Sequence, residues 1–252
     1  MLRRALLIID RGSKEPEVKE ELREISKLVK KKGNYSYSNY CFLEVVHPFI
    51  EEGIRLCIDE GVDMITVMPY FLYPGMKLKD SVKQSAALTR KLGLKLVITK
   101  PLSYSKMLSS LIIDRINKLK LDNKISYEDI DCDVLIIGHG SSDRRAREAF
   151  IFTVQSIKEF YKSVKFCFLE LDNPDIEEGI KSIMENDPRI ILIMPYFLHK
   201  GTHIKSDVIN EINTVLQKYK FGNVFISSHI GVDEKMADLI LERAREVENR
   251  IA

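Results

Sequence analysis

The feature that most constrains the fold of this chain is an internal duplication. The segment "PYFLYPGMKLKDSV", which begins at Pro69, returns as "PYFLHKGTHIKSDV" at Pro195, about half the chain later. In the same way, "CFLEVVHPFIEEGI" from Cys41 returns as "CFLELDNPDIEEGI" from Cys167. Repetition over such lengths indicates two copies of one structural unit. Each difference between the copies is then informative about function.

Each copy alternates short apolar runs with amphipathic stretches. The runs predict strands at Ala5–Ile9, Asn39–Leu43, Met64–Met68 and Lys95–Ile98, and again at Val134–Ile137, Lys165–Leu169, Ile190–Met194 and Asn223–Ile226. They are rich in β-branched residues and lack polar alternation, as in a parallel sheet covered on both faces. Helical faces are predicted for Val18, Leu22, Ile25 and Val29, and for Ile204, Val208, Ile212 and Val215. The pattern predicts two flavodoxin-like α/β domains, each a four-stranded, mainly parallel sheet with helices on both faces.

The duplication also predicts the domain boundaries. With 252 residues, 45% of them hydrophobic, the chain can form two separate cores. We expect a first domain at 1–120 and a second at 130–252. The stretch from Asn117 to Asp133 is polar and poorly periodic, which favours a linker. Since one chain supplies what a symmetric dimer of half-length subunits would supply, a monomer is expected.

Composition narrows the class of function. The net charge of +2 is too small to indicate a nucleic-acid partner. The apolar run near the start is too short for a signal peptide, and no run reaches membrane-spanning length, so a soluble, cytoplasmic protein is expected. "GHGSSD" is not a dinucleotide fingerprint, and no Walker motif occurs. No organic cofactor is expected.

The two copies differ most in histidine. The second copy has His139 where the first has Arg11, and His203 where the first has Lys77. His199 replaces a tyrosine of the first copy. Three imidazoles therefore stand at loop positions in one half of the chain, and other side chains replace them in the other half. This contrast predicts that only the second copy binds a metal ion.

The predicted strand ends bring these residues together. His139 follows the first strand of the second copy, Glu170 ends the second strand, and His199 to His203 follow the third. In open parallel sheets, ligands bind outside the carboxyl ends of the strands. Imidazole and carboxylate are ligands of borderline divalent metals. We predict His139, His203 and Glu170 as catalytic, metal-binding residues. Because the first copy keeps the equivalent Glu44, a structural role for Glu170 stays open.

Other polar residues surround this candidate centre. Basic side chains gather there in the sequence, as an anionic ligand would require, although an ordinary solvated surface explains them equally well. The predicted substrate contacts are Arg11, Lys77, Ser141, Arg144, His199, Lys200 and Lys205, with Arg145 beside them. His199 could also serve as an auxiliary metal ligand.

Three segments carry a family resemblance. "LIIGHGSSDRRAREAF", "FLELDNPDIEEGI" and "ILIMPYFLHKGTHIKSDV" resemble the sirohydrochlorin cobaltochelatase/ferrochelatase family, the class II tetrapyrrole chelatases. The resemblance extends over essentially the whole chain. It implies two flavodoxin-like domains that face each other across a cleft, and insertion of Co²⁺ or Fe²⁺ into sirohydrochlorin without ATP. It also implies that His139 and His203 form the catalytic pair, with Glu170 at the metal site.

Several alternatives remain open at this level. The metal could be Ni²⁺ and the ligand another porphyrin, since nitrogen and oxygen ligands accept several divalent ions. A non-catalytic carrier of metal or tetrapyrrole would keep the same histidines. The physiological metal, and the choice between cobalamin and sirohaem biosynthesis, are not decided by the sequence.

Overall fold

Eight strands form the framework of the chain. The computed structural model describes residues 2–92, 95–200, 208–219 and 221–250, without the side chains of 89–92. The strands of the first copy are β1 (Arg4–Asp10), β2 (Tyr37–Phe42), β3 (Met64–Pro69) and β4 (Lys95–Ile98). Those of the second copy are β5 (Asp133–Gly138), β6 (Ser163–Phe168), β7 (Ile191–Pro195) and β8 (Val224–Ile226). All eight predicted strands are confirmed, with ends shifted by at most about two residues.

Helices follow the strands. In the first copy they are α1 (Pro16–Gly33), α2 (Ile50–Asp59), α3 (Met76–Leu92) and α4 (Lys106–Asp122). In the second copy they are α5 (Arg144–Gln155), α6 (Ile176–Met184), α7 (Ile209–Tyr219) and α8 (Glu234–Glu248). Residues at the N-terminal end fix where several of these helices begin. In α6, for example, the Asp175 carboxylate accepts the Glu178 N–H at 2.8 Å, and Glu178 in turn accepts the Asp175 N–H at 3.0 Å.

The strands form two parallel sheets of the same order. The orders are β2-β1-β3-β4 and β6-β5-β7-β8, and every described pairing is parallel. The predicted α/β class is therefore confirmed. In a sheet of this order the connections reverse between the first and third strands, and ligands bind above that point. The loops after β5 and β7 flank this position in the second sheet.

Apolar burial explains the layering. The predicted faces of α1 (Val18, Leu22, Ile25, Val29) and of the α7 region (Val208, Ile212, Val215) are all buried, whereas Ile204 lies outside the described residues.

The four cysteines are free and buried. Burial raises the pKa of the Cys57 thiol to about 12, so this thiol stays protonated at neutral pH.

The compact units of the structure do not coincide with the sequence repeats. One unit comprises Met1–Ser103 and Val232–Ala252, and the other comprises Tyr104–Gly231. The last helix of each repeat is exchanged: α4 packs on α5 and β7, and α8 packs on α1, β3 and β4. We call the units the N-unit and the C-unit. The predicted boundaries at 1–120 and 130–252 describe the duplication and differ from these units by one helix each.

The predicted linker also needs correction. Asn117 to Asp122 belong to α4, and Ile116 and Leu119 near its end are buried in the C-unit. The stretch is polar because only one narrow face of the helix is covered. An irregular connection occupies only the residues between α4 and β5, with one short 3-10 turn at Asp129–Asp131.

A buried carboxylate holds α8 in the N-unit. Glu248, which is 7% exposed, accepts hydrogen bonds from the Tyr35 hydroxyl at 2.7 Å and the Thr66 hydroxyl at 2.5 Å. The Arg4 guanidinium completes the set at 2.5 Å. Burial, followed by the bond to Glu248, raises the pKa of Tyr35, so the phenol remains a donor. All three partners lie in the first third of the chain, far from α8 in sequence.

Candidate metal centre

The loop after β5 presents His139 at the carboxyl edge of the C-unit sheet. Gly138 ends the strand and is buried, and the His139 side chain is about one-third exposed. Gly140 follows with φ 91°, a conformation that favours glycine. A Cβ at Gly140 would collide with the Glu170 carbonyl oxygen. Glycine is therefore required for the backbones around His139 and Glu170 to approach each other.

Substituting Gly140 should break this approach. We expect Gly140→Ala to lower the free energy of unfolding by at least about 2 kcal/mol, because the methyl group meets both a positive φ and a carbonyl oxygen. Denaturant unfolding measures the change. Gly222→Ala is the matched control, since a Cβ there meets nothing within 4 Å, and its effect should stay within about 0.5 kcal/mol. Equal effects of the two substitutions would contradict this account.

His139 and Glu170 form the described part of the centre. The His139 Nε2 atom lies 3.2 Å from a carboxylate oxygen of Glu170, whose side chain is about half exposed. The imidazole also meets Phe197 edge-to-face, with ring centroids 6.3 Å apart. Phe197 lies just after β7, so the loops following β5, β6 and β7 all approach the imidazole. A nitrogen and an oxygen donor thus face each other at a partly open position.

Two of the predicted residues cannot be placed. His203 and Lys205 lie outside the described residues. Among the residues that are described, no group of three histidine, cysteine, aspartate or glutamate side chains is close enough to hold a metal ion. His199 is half-buried two positions beyond Phe197. The C-unit therefore shows a histidine–carboxylate pair, and the metal-binding roles of His139, Glu170 and His203 all remain predictions.

The equivalent positions of the N-unit form a complete triad. The Glu44 carboxylate accepts from Arg11 Nε at 2.9 Å and from Lys77 Nζ at 2.6 Å. Arg11, Glu44 and Lys77 are the repeat equivalents of His139, Glu170 and His203. The three strand ends of this unit thus bring all three side chains to one point. Two cationic groups lie there around one carboxylate, where the other copy has imidazoles in its sequence.

The triad changes the acidity of Glu44. The hydrogen bond from Lys77, and then that from Arg11, hold the pKa of Glu44 below its ordinary value of 4.5. A depressed carboxyl pKa means that any stabilisation is present above about pH 4.5 and is lost as the pH falls through the lowered value. At neutral pH the group is a carboxylate, and it neutralises one of the two positive charges that Arg11 and Lys77 bring.

This acidity can be measured directly. In a carboxyl-detected NMR titration, Glu44 should titrate below pH 4.5, and its midpoint should rise toward that value in the Arg11→Gln, Lys77→Gln variant. The reason is that both hydrogen-bonded cations are removed while the carboxyl group keeps its place. Glu52, whose pKa is lowered by the Phe49 N–H and then by His47, serves as the internal reference, and its midpoint should stay the same. An unchanged Glu44 midpoint would show that the triad does not form in solution.

The other predicted contact residues have local partners. The Ser141 hydroxyl accepts the Asp143 N–H at 3.1 Å, so it shapes the turn before α5. Arg144 pairs with Glu148 at 2.9 Å and Arg145 with Asp143 at 2.6 Å. Lys200 is exposed. Because these ion pairs are on the surface, each arginine could leave its carboxylate partner for an anionic ligand at little cost in free energy. A role in binding an anion therefore stays a prediction.

Sequence reasoning missed two participants. Phe197 lies against His139. From the sequence alone, a phenylalanine directly after a strand is assigned to the apolar core. The meeting of Arg11 and Lys77 on Glu44 was also missed, although the alignment of the repeats pairs Glu44 with Glu170. The equivalence of Glu44 and Glu170 in the two repeats was the sequence signal that could have predicted this contact.

The fold and the centre define a class of protein: a duplicated α/β protein with a histidine–carboxylate pair at the carboxyl edge of one sheet and an ion triad in its place on the other. The CbiX family model matches residues 5–119 and 133–247, which together are most of the chain. The chain belongs to the CbiX family.

Named relatives and solved structures agree with this family. A sirohydrochlorin ferrochelatase of Priestia megaterium is 24% identical over 90% of this chain and 86% of its own length. A sirohydrochlorin cobaltochelatase of the same organism is 24% identical over 96% of this chain and 79% of its own. SirB from Bacillus subtilis with Fe³⁺ superposes with a TM-score of 0.82 and 25% identity, covering 97% of this chain and 95% of that one. A second SirB structure, in complex with cobalt, has a TM-score of 0.78.

One further finding concerns membranes. Among the helices that the structure describes, none combines the length and apolarity needed to cross a bilayer.

Proposed function

We propose that this chain inserts Co²⁺ or Fe²⁺ into sirohydrochlorin without ATP. The observation that carries the proposal is the pair of His139 and Glu170, 3.2 Å apart at the carboxyl edge of the C-unit sheet. The family and the named activities of its relatives support the substrate class. The absence from the sequence of a Walker or dinucleotide motif fits a reaction that is not driven by nucleotide hydrolysis.

His139, Glu170 and His203 hold the substrate metal in this proposal. The support comes from the N-unit, where the three equivalent side chains meet at one point with donor–acceptor distances of 2.6 and 2.9 Å. Because the two sheets have the same strand order, the same positions should meet in the C-unit. Two imidazole nitrogens and one carboxylate oxygen leave coordination positions open, as a site that must release its metal requires.

Proton removal accompanies metal insertion. Two ring N–H protons leave the tetrapyrrole as the metal ion forms bonds to the ring nitrogens. Glu170 is suited to accept a proton because its carboxylate is about half exposed and can pass the proton on to water. Once the metal has left, the freed imidazole nitrogen of His139 can accept the second proton. The carboxylate and imidazole thus act first as metal ligands and then as bases.

Binding of the macrocycle uses its acidic periphery. Sirohydrochlorin is a polyacid, and Arg144, Lys200 and Lys205 follow the strand ends that carry the centre. Charge-assisted hydrogen bonds from such groups are about twice as strong as neutral ones. Ser141 and His199 are the neutral candidates for the same role. Arg11 and Lys77 contribute less free charge, because each is bound to Glu44.

An absorption assay tests the function. Purified chain is mixed with sirohydrochlorin and Co²⁺, or with Fe²⁺ under anaerobic conditions, and the visible spectrum is followed against a protein-free control. The proposal requires metal insertion that is faster than the control and that turns over beyond one equivalent of protein. A spectral shift with one equivalent bound and no acceleration would identify a carrier and overturn the enzymatic function.

A further inference from the structure

Each site carboxylate is followed by an exposed apolar residue in a left-handed backbone conformation. Leu171 follows Glu170 with φ 63°, and its side chain is 68% exposed. Val45 follows Glu44 with φ 75° and is 48% exposed. The Val46 N–H donates to the Glu44 carbonyl at 2.9 Å, which closes a tight γ-turn around Val45. A left-handed residue with an exposed apolar side chain thus occurs twice, each time directly after the carboxylate residue that the repeats share.

These residue types are costly at such positions. A positive φ suits glycine or asparagine, and it is a genuine outlier for a bulky or β-branched residue. Exposure of the side chain to water brings no compensating burial in the free protein. Local stability therefore gives no reason for leucine at position 171, and strained residues of this kind concentrate at functional sites.

The turn around Leu171 is held from several sides. The Glu170 N–H donates to the His139 carbonyl at 3.0 Å, and the Leu169 N–H donates to Gly138 at 2.9 Å. From α5, Arg147 pairs with Asp172 and donates to the Asn173 carbonyl at 2.8 Å. The turn is therefore fixed before any ligand binds. A loop whose backbone is already held in place loses little backbone entropy when a ligand covers it.

We propose that Leu171 is a substrate-contacting residue that packs on the apolar face of the tetrapyrrole ring. This inference rests on the proposed function, because it requires a flat ring at the centre. Metal transfer needs the ring nitrogens within bonding distance of an ion held by His139 and Glu170. A tetrapyrrole centred on this ion is wider than the spacing of about 3.8 Å between consecutive Cα atoms, and the proposal places the exposed Leu171 side chain beneath it. The leucine contacts the conjugated surface, while charged groups contact the carboxylates.

Leu171→Asn isolates the side chain from the backbone. Asparagine adopts positive φ readily, so the turn should persist and the chain should unfold no more easily than the wild type. We expect the KM for sirohydrochlorin to rise about five- to tenfold, as loss of one well-covered apolar contact implies. The kcat should change less than twofold, and Co²⁺ binding without tetrapyrrole should be unchanged. Leu171→Met should restore the wild-type KM, because it restores an apolar contact.

Leu121→Asn is the matched control. Leu121 is 78% exposed in the same unit, near the end of α4 that leads toward the start of β5 and so lies at the opposite edge of the sheet. Its substitution should leave KM unchanged. A wild-type KM in Leu171→Asn, with an active enzyme, would overturn the contact while leaving the proposed function intact. Absence of insertion by the wild-type chain would instead refute the function on which the contact rests.

Discussion

His139→Ala should reduce the rate of metal insertion about a hundredfold or more, while leaving the fold intact. The substitution removes the imidazole of the described pair and leaves only its Glu170 carboxylate. Imidazole binds Co²⁺ and Fe²⁺ better than a lone carboxylate does, and loss of a positioned base alone costs about 10²- to 10⁴-fold. Initial rates of the absorption assay measure the loss, and calorimetric titration with Co²⁺ measures the metal affinity.

His47→Ala provides the matched comparison for this substitution. The His47 side chain is 69% exposed, belongs to the N-unit and pairs with Glu52 at the start of α2. Its replacement should leave insertion within about twofold of wild type, since exposed pairs of this kind contribute little. If His139→Ala retained the wild-type rate and Co²⁺ affinity, the metal centre would have to lie elsewhere in the chain.

Arg11→His combined with Lys77→His should create a metal site in the N-unit. Both replaced residues already reach Glu44, at 2.9 and 2.6 Å, so their side chains start from one point. The exchange removes two cations, frees the Glu44 carboxylate and supplies two nitrogen donors, which is a ligand set typical of divalent metals. The expected result is one additional Co²⁺ ion per chain in calorimetric titration, with a visible cobalt absorption band.

The additional Co²⁺ ion is measured most clearly in a chain that also carries His139→Ala, because metal binding at the C-unit is then impaired. Arg11→Gln with Lys77→Gln is the control, since it frees Glu44 without adding an imidazole, and it should gain no ion. Adding Glu44→Gln to the double histidine variant should weaken the new site, because a charged ligand is lost. If the double histidine variant bound no additional metal, the two copies would not share a common site geometry.

Much of the framework could be predicted because it depends on local patterns. The strand β1 contains an uninterrupted apolar run from Ala5 to Ile9, and α1 carries its apolar residues at helical spacing, so both can be predicted from neighbouring residues. Gly140 could be recognised as a turn residue for the same reason. By contrast, the collision that makes it indispensable involves the Glu170 carbonyl, which belongs to another loop. Contacts between loops depend on the relative placement of strands, which a local pattern does not contain.

The helix exchange shows the same limit more clearly. The apolar faces of α4 and α8 are similar, so either sheet could cover either helix as far as hydrophobicity is concerned. A polar cluster distinguishes the two helices: Glu248 of α8 meets Arg4 and Tyr35 in the N-unit, whereas Lys120 near the end of α4 pairs with Asp129 in the connection that follows this helix. A carboxylate and an ammonium group cannot exchange places in such surroundings without leaving a charge unpaired.

The sequence by itself determined the duplication, the α/β class, the strands and the asymmetry of histidine between the copies, because each of these is a property of residue type and spacing. Only the tertiary structure decided that Arg11 and Lys77 converge on Glu44, that Phe197 meets His139, and that each unit borrows its last helix from the other repeat. These facts join residues far apart in the chain. They follow from the order of strands in the sheets and from which buried charges find partners, and both are settled only when the whole chain packs.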